Sequence, residues 1–203
     1  MGTGAAAVAW PSDERSATMR QIYAFLLTSL DGYHADPGDG LDWFRTDDEF
    51  EQYSRGQSDL IDTIVMGRRT FEMMAAYWPT EEAAREDPVV TGFMNALPKI
   101  VASRTLTTHP WGPTTFVADD VAGHLAAVKE RPGKDIAIFG SSTLVGDLLP
   151  SGVIDELRVI VNPVVLGAGR PVFAGAAGPV GLHRTAVREF GNGNVLLTYR
   201  LDA

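Results

Sequence analysis

The chain has 203 residues, a formal charge of -9 and no cysteine. The missing thiols remove disulfides, thiolate catalysis, iron–sulfur clusters and cysteine-type zinc sites, and the acidic balance argues against non-specific nucleic-acid binding, which needs a basic face. With 45% hydrophobic and 21% charged residues the composition suits one globular α/β domain with a sizeable core, and no run approaches the ~18 apolar residues of a membrane-spanning helix.

Residues 1–18 are small, polar and Pro-containing, without a basic leader region. They are expected to form a flexible extension rather than a signal peptide, on a cytoplasmic protein. The first buried strand is expected over 20–28, where Ile22, Tyr23, Ala24, Phe25, Leu26 and Leu27 run without a polar break. A turn at Ser29-Leu30-Asp31-Gly32 and a loop at Pro37-Gly38-Asp39-Gly40 follow. Thr46-Asp47-Asp48-Glu49 reads as a capping box, opening a helix that runs to about Arg55 and buries Phe50 and Tyr53.

Next come a strand at 62–66 and a helix from Thr70, closed by Trp78-Pro79. An acidic, Pro-interrupted stretch over 80–98 leads to a strand at 99–103. A short strand at 116–118 precedes a helix capped by Asp119 or Asp120 and carrying Leu125 and Val128. The strand at 135–139 feeds a helix bearing Leu144, Val145, Leu148 and Leu149, stopped by Pro150 and Gly152. A long strand over 155–165 is broken or kinked at Pro163, and Gly167-Ala168-Gly169-Arg170-Pro171 makes a tight turn. Strands at 185–190 and 195–201 then flank Gly191-Asn192-Gly193-Asn194, a hairpin signal. Alternating strands and helices closed by an antiparallel hairpin predict a mixed, mostly parallel sheet.

Three strand-to-helix turns carry groups suited to anions. Gly67-Arg68-Arg69-Thr70 follows a buried strand and opens a helix. A helix start offers free N–H groups and the positive end of the dipole, so two adjacent arginines there repel unless an anion joins them. Guanidinium groups bind phosphate oxygens in a two-point fashion. The alternative is that both arginines extend into solvent or pair with nearby acids. Ser103-Arg104 ends a second strand of the same sheet, and ligands collect beyond the carboxyl ends of such strands. Gly140-Ser141-Ser142-Thr143 supplies close approach, hydroxyls and helix N–H groups for a diphosphate, with simple N-capping by Ser141 or Ser142 as the structural alternative. No Gly-x-Gly here completes a Rossmann fingerprint, and no P-loop is present.

His34, His109, His124 and His183 lack ligand spacing, read as surface or loop residues, and imply no structural metal. Asp31, Asp42 and Asp48 lie near the end of the first strand and the start of the first helix, where a reductase's general acid would stand; turn-forming and capping are their structural alternatives. Trp43 and Phe44 are candidates for stacking on a planar substrate, against packing in the core or a lid.

Taken together, Leu27-Thr28-Ser29-Leu30-Asp31-Gly32, Val65-Met66-Gly67-Arg68-Arg69-Thr70-Phe71-Glu72, Phe139-Gly140-Ser141-Ser142 and the run from Val164 to Phe173 resemble the dihydrofolate-reductase-like family. The resemblance covers residues 19 to 202. It is nearer to the reductase domain at the C-terminus of bifunctional riboflavin-biosynthesis enzymes and its stand-alone relatives. It implies a single three-layer domain over 19–203, with helices on both faces of the sheet, and NADPH as cofactor. Arg68, Arg69 and Arg104 would lie near the 2′-phosphate, Thr70 near the diphosphate and Ser103 near the adenosine. Gly67 would give close backbone approach, and Gly140, Ser141, Ser142 and Thr143 would hold the diphosphate. The turn at Asp31 would approach the nicotinamide.

No zinc-bearing deaminase segment precedes the domain, so a stand-alone reductase is expected, and Leu41-Asp42-Trp43-Phe44 stands where a dihydrofolate reductase carries Trp-Pro. The function expected is hydride transfer to a C=N or C=O of a small heterocyclic or sugar-linked substrate, by a homodimer. The alternative is a non-catalytic dinucleotide- or flavin-binding protein of the same fold. Arg170 is expected to pair with carboxylates of its own sheet edge.

Overall fold

Strand β1 (Ile22–Ser29) takes the middle of the sheet because its unbroken apolar run has no polar face to offer water. The structure is a computed structural model describing residues 20–202, so the extension expected over 1–18 lies outside the described residues. Parallel neighbours flank β1: β6 (Asp135–Phe139) and β7 (Glu156–Asn162). Outward from β6 lie β3 (Ile61–Gly67), β4 (Lys99–Ala102) and β5 (Thr114–Val117), all parallel. Outward from β7 lie β10 (Val195–Leu201) and β9 (Leu182–Glu189), joined antiparallel. The result is the expected mixed sheet, with strand order β5-β4-β3-β6-β1-β7-β10-β9.

Alternate residues of β1 feed opposite layers, as the two-residue period of a strand requires. Ile22, Ala24 and Leu26 meet Leu125 of α5 (Val121–Lys129) and Val145 and Leu148 of α6 (Ser142–Leu148). Tyr23 joins the other face, with Phe71 of α2 (Arg68–Tyr77) and Val90 and Met94 of α4 (Pro88–Ala96). A third cluster seats α1 (Asp48–Gly56) against the terminal hairpin through Phe50, Tyr53, Phe190 and Leu196. Among the described residues no helix is long and apolar enough to cross a membrane.

Several local expectations are corrected. Asp47, not Thr46, caps α1, accepting from Phe50 N at 2.8 Å. Its second oxygen takes Asn192 N at 2.9 Å while Glu49 takes Gly191 N at 2.8 Å, so the acids that start the helix also fix the hairpin turn. The stretch 80–98 holds two helices, α3 (Glu81–Glu86) and α4. Thr80 caps the first, and Asp87 caps the second with Pro88 at its first position. Helix α2 starts at Arg68 rather than Thr70, and Asp120 caps α5. Strand β7 covers 156–162 rather than 155–165, with the expected break at Pro163, which cannot donate to the ladder. A small sheet pairs β2 (Tyr33–Ala35) with β8 (Arg170–Pro171).

Candidate functional site

A cavity of about 1020 Å³ opens beyond the carboxyl ends of β1, β3, β4 and β6, where Leu27, Gly67, Ala102 and Phe139 line it. This is the place where open parallel sheets collect ligands. Two helix N-termini face it. Helix α2 has Gly67 at its cap, no side-chain cap and no acid in its first turn. Helix α6 likewise has no side-chain cap. First-turn N–H groups lack intrahelical acceptors, so both ends present partial positive charge to one cavity.

The hydroxyl that would cap α6 is used elsewhere. Ser141 Oγ accepts from Gly67 N at 2.9 Å and donates to Phe139 O at 3.1 Å, tying the end of β3 to the end of β6. That geometry needs two successive left-handed residues, Gly140 at φ 57 and Ser141 at φ 55. A Cβ on Gly140 would stand 3.3 Å from Thr70 Cγ2, so the Gly140 turn lies against the Gly67 turn.

Gly67, Arg68, Arg69, Thr70, Gly140, Ser141, Ser142 and Thr143 thus share one wall. Arg68 pairs with Glu72 at 2.9 Å, a half-exposed pair one helical turn apart. Arg69 is exposed on the same rim and makes no ion pair with the described residues. Ser103 and Arg104 are not brought to this wall. The Ser103 hydroxyl accepts from Thr105 N and Leu106 N in a local turn, and Arg104 lies 3.6 Å from Asp119 with both side chains in solvent.

The expected acids also stand elsewhere. Asp31 accepts from Ser29 Oγ at 2.7 Å and from Leu166 N and Gly167 N at 3.1 and 2.7 Å, closing the loop after β7. The Ser29 hydroxyl leads those bonds in holding its carboxyl down, from 3.8 to about 2. Asp31 is therefore ionised at neutral pH and cannot donate a proton there. Asp42 and Asp48 are exposed and do not line the cavity; Asp48 is the first residue of α1. Trp43 donates to Gly40 O at 3.2 Å, and Phe44 packs edge-on against Phe50 with ring centres 5.0 Å apart, so neither lines the cavity.

His34, read from sequence as a surface or loop residue, lies half-buried on the cavity wall. Its Nδ1 bonds Leu27 O at 2.9 Å, and burial pushes its pKa below the usual imidazole value. The ring is neutral at pH 7, with Nδ1 donating and Nε2 left as an acceptor beside Gly140. Arg170 pairs with Asp39, as expected, and both stand on the cavity wall.

Sequence reasoning missed the far end, where Glu51, Ser54, Gln57 and Asp87 are the polar lining. The three-residue spacing of Glu51, Ser54 and Gln57 beside the inward Phe50 and Tyr53 was the available signal.

Residues 20–196 match the family profile described as the RibD C-terminal domain. The chain belongs to that family. Another relative of this RibD C-terminal domain is "Uncharacterized protein YyaP" of Bacillus subtilis (strain 168). It is 30% identical over 183 residues, covering 89% of this chain and 94% of YyaP. Among solved structures, a putative riboflavin biosynthesis protein from Shewanella sp. PV-4 superposes with a TM-score of 0.66 at 23% identity, over 90% of this chain and 99% of that one. Dihydrofolate reductase from Enterococcus faecalis, complexed with NADP(H) and RAB-propyl, gives 0.59 at 14% identity, over 91% and 99%. The RibD C-terminal domain described here therefore has the dihydrofolate-reductase-like fold that its motifs led us to expect.

Proposed function

We propose that the chain is an NADPH-dependent reductase, which passes hydride to the carbon of a C=N or C=O bond in a small heterocyclic or sugar-linked substrate. One observation carries the reading: two helix N-termini without side-chain caps face a single cavity, and one of them bears adjacent arginines. That donor set fits a dinucleotide with an extra phosphate. Gly140 leaves the room that a Cβ would fill against Thr70, and the first turn of α6 presents N–H groups suited to a diphosphate. Arg69 and Arg68 would hold the ribose phosphate, Arg68 by leaving Glu72. Arg104 and Ser103, at the adjoining strand end, would border the adenosine.

When bound, the nicotinamide would supply the hydride. The chain's own part is to orient and to exclude water. Phe25, Leu27 and Phe139 form an apolar floor at the strand ends, and a floor of that kind keeps the reacting carbon dry. Neutral His34, its Nε2 free to accept, would position a water beside the substrate's heteroatom, and the proton that completes the reduction would come from bulk solvent through that water, leaving no hydroxide behind. Family membership and the neighbours named as reductases support this chemistry; riboflavin-type and folate-type substrates both fall within it.

The displaced aspartates favour a second reading, a non-catalytic dinucleotide-binding protein of the same fold. Mixing the protein with NADPH and a panel of pteridines, aminouracils, quinones and aldehydes decides between them. The proposal expects cofactor-dependent thermal stabilisation and loss of nicotinamide absorbance with at least one substrate; stabilisation without any oxidation selects the second reading. The expected homodimer belongs to the same proposal. Among the described residues β9 is an edge strand of the sheet, and it exposes Leu182 and Val187 as an apolar contact surface.

A further inference from the structure

The end of the cavity away from the arginines is built differently. Its walls are Phe50, Met74, Trp78, Val90, Phe93 and Met94, a lining that suits a flat, apolar ring. The polar groups among them are Glu51, Ser54, Gln57 and Asp87; among the described residues the arginines that line the cavity, Arg68, Arg69 and Arg170, belong to its other walls. Arg55, behind the wall, is shared by both acids: its Nη2 lies 3.1 Å from Glu51 and its Nε 3.0 Å from Asp87. Two carboxylates against one guanidinium leave this end net negative. An entering phosphate would meet those acids, or would have to take Arg55 from one of them. The cavity's other cation outside α2, Arg170, is already held by Asp39.

Gln57 gives this end its specificity. It is only 4% exposed yet lines the cavity. Its Oε1 accepts the Tyr23 hydroxyl at 2.7 Å, and burial pushes the Tyr23 phenol well above its usual range, so that hydroxyl stays a donor. With the oxygen used, the amide's orientation is fixed, and its Nε2 has no partner among the described residues. That N–H₂ opens to the cavity, so a ligand that offers an acceptor there can take it up. Glu51, six residues earlier and also in the lining, accepts hydrogen bonds where Gln57 donates them.

We propose that this end takes a planar heterocycle without a phosphate or other anionic group, whose ring oxygen or nitrogen accepts from Gln57 and whose N–H groups donate to Glu51. The proposal rests on the reductase reading for what happens to that ring, but the recognition itself does not require turnover. It makes the substrate uncharged or cationic, unlike a phosphoribosyl compound.

The test is calorimetric binding of a matched pair, a ribitylaminouracil and the same molecule phosphorylated at the end of its side chain, with and without NADPH; unsubstituted pterin is a third probe. The unphosphorylated uracil should bind at least about tenfold more tightly than its phosphate. Gln57→Glu, which keeps the Tyr23 bond and removes the donor, and Glu51→Gln should each weaken binding of the uracil and of pterin by about tenfold or more. Circular dichroism and urea unfolding confirm that each variant is folded. Equal or tighter binding of the phosphorylated probe overturns the inference, as does unchanged binding in both variants. Failure to bind NADPH while the heterocycles still bind as described would sink the reductase reading and leave this one standing.

Discussion

Replacing Ser141 by alanine removes the hydroxyl that receives Gly67 N at 2.9 Å and reaches Phe139 O at 3.1 Å. Leaving a buried donor unmade costs about 1–3 kcal/mol; because Gly67 is only half-buried, water recovers part, and about 1–2 kcal/mol is expected. In urea, with a slope of about 2 kcal/mol per molar, the midpoint should fall by roughly 0.5–1 M with the slope unchanged. Glycine at the same place separates two effects. Ser141 sits at φ 55, a conformation that costs an L-residue about 1 kcal/mol and glycine almost nothing. Ser141→Gly should therefore be less destabilised than Ser141→Ala by about that amount, although both lose the hydroxyl. Because the same bond fixes the wall of the cavity, both variants should also bind NADPH several-fold more weakly than the native protein. A Ser141→Ala protein with native stability would show that the hydroxyl does not join the two strand ends, and a glycine variant weaker than the alanine one would refute the backbone strain assigned to this position.

Gly146→Ala would stabilise an open helix, but here its Cβ would stand 2.7 Å from Gly175 N and 2.8 Å from Ala176 N. Denaturant unfolding should show a loss of about 1–3 kcal/mol from the forced backbone shift, and any gain contradicts that packing. Lys99 is buried with its ammonium on Leu97 O at 2.8 Å and 4.4 Å from the centre of the Trp111 ring. Burial lowers its pKa from 10.5 to about 8. Between those two values the unfolded chain holds more protons, so stability should rise with pH relative to Lys99→Met, whose curve lacks that gain; parallel curves refute it. Asp31, with its pKa lowered from 3.8 to about 2, contributes stability that is complete above the unfolded value. That contribution is lost as pH falls through the folded value. Acid titrations of unfolding should show this loss in the native protein and not in Asp31→Asn.

Much of the sheet was legible because its strands are buried on both faces: an unbroken run such as 22–27 has nowhere else to go. The turns after β3 and β6 were legible for a related reason, since small and cationic residues at a helix start disagree with a purely structural role. Helices α3 and α4 were hidden by acids and prolines, although Thr80 and the Asp87-Pro88 pair are cap signals, and it is the caps that make those short helices possible. The paired strands β2 and β8 are three and two residues long and arise from tertiary contact alone. The acids were misjudged because turn chemistry and cavity chemistry draw on the same residue type. Asp31 spends its oxygens on Ser29, Leu166 and Gly167, whereas Glu51 reaches the cavity from the middle of a helix. His34 looked like a loop residue until β2 carried it to the wall.

The central claim is that the paired arginines at the start of α2 are completed by a phosphate of the bound cofactor. Dissociation constants for NADPH and NADH, measured by calorimetry on the native protein and on the Arg68→Ala/Arg69→Ala variant, test it directly. The account predicts a native preference for NADPH that falls by at least about tenfold in the double variant, as the loss of charged hydrogen bonds worth about 1.5–3 kcal/mol each requires, with NADH affinity little changed. Equal native affinities for the two dinucleotides, or a preference that survives removal of both side chains, would contradict it.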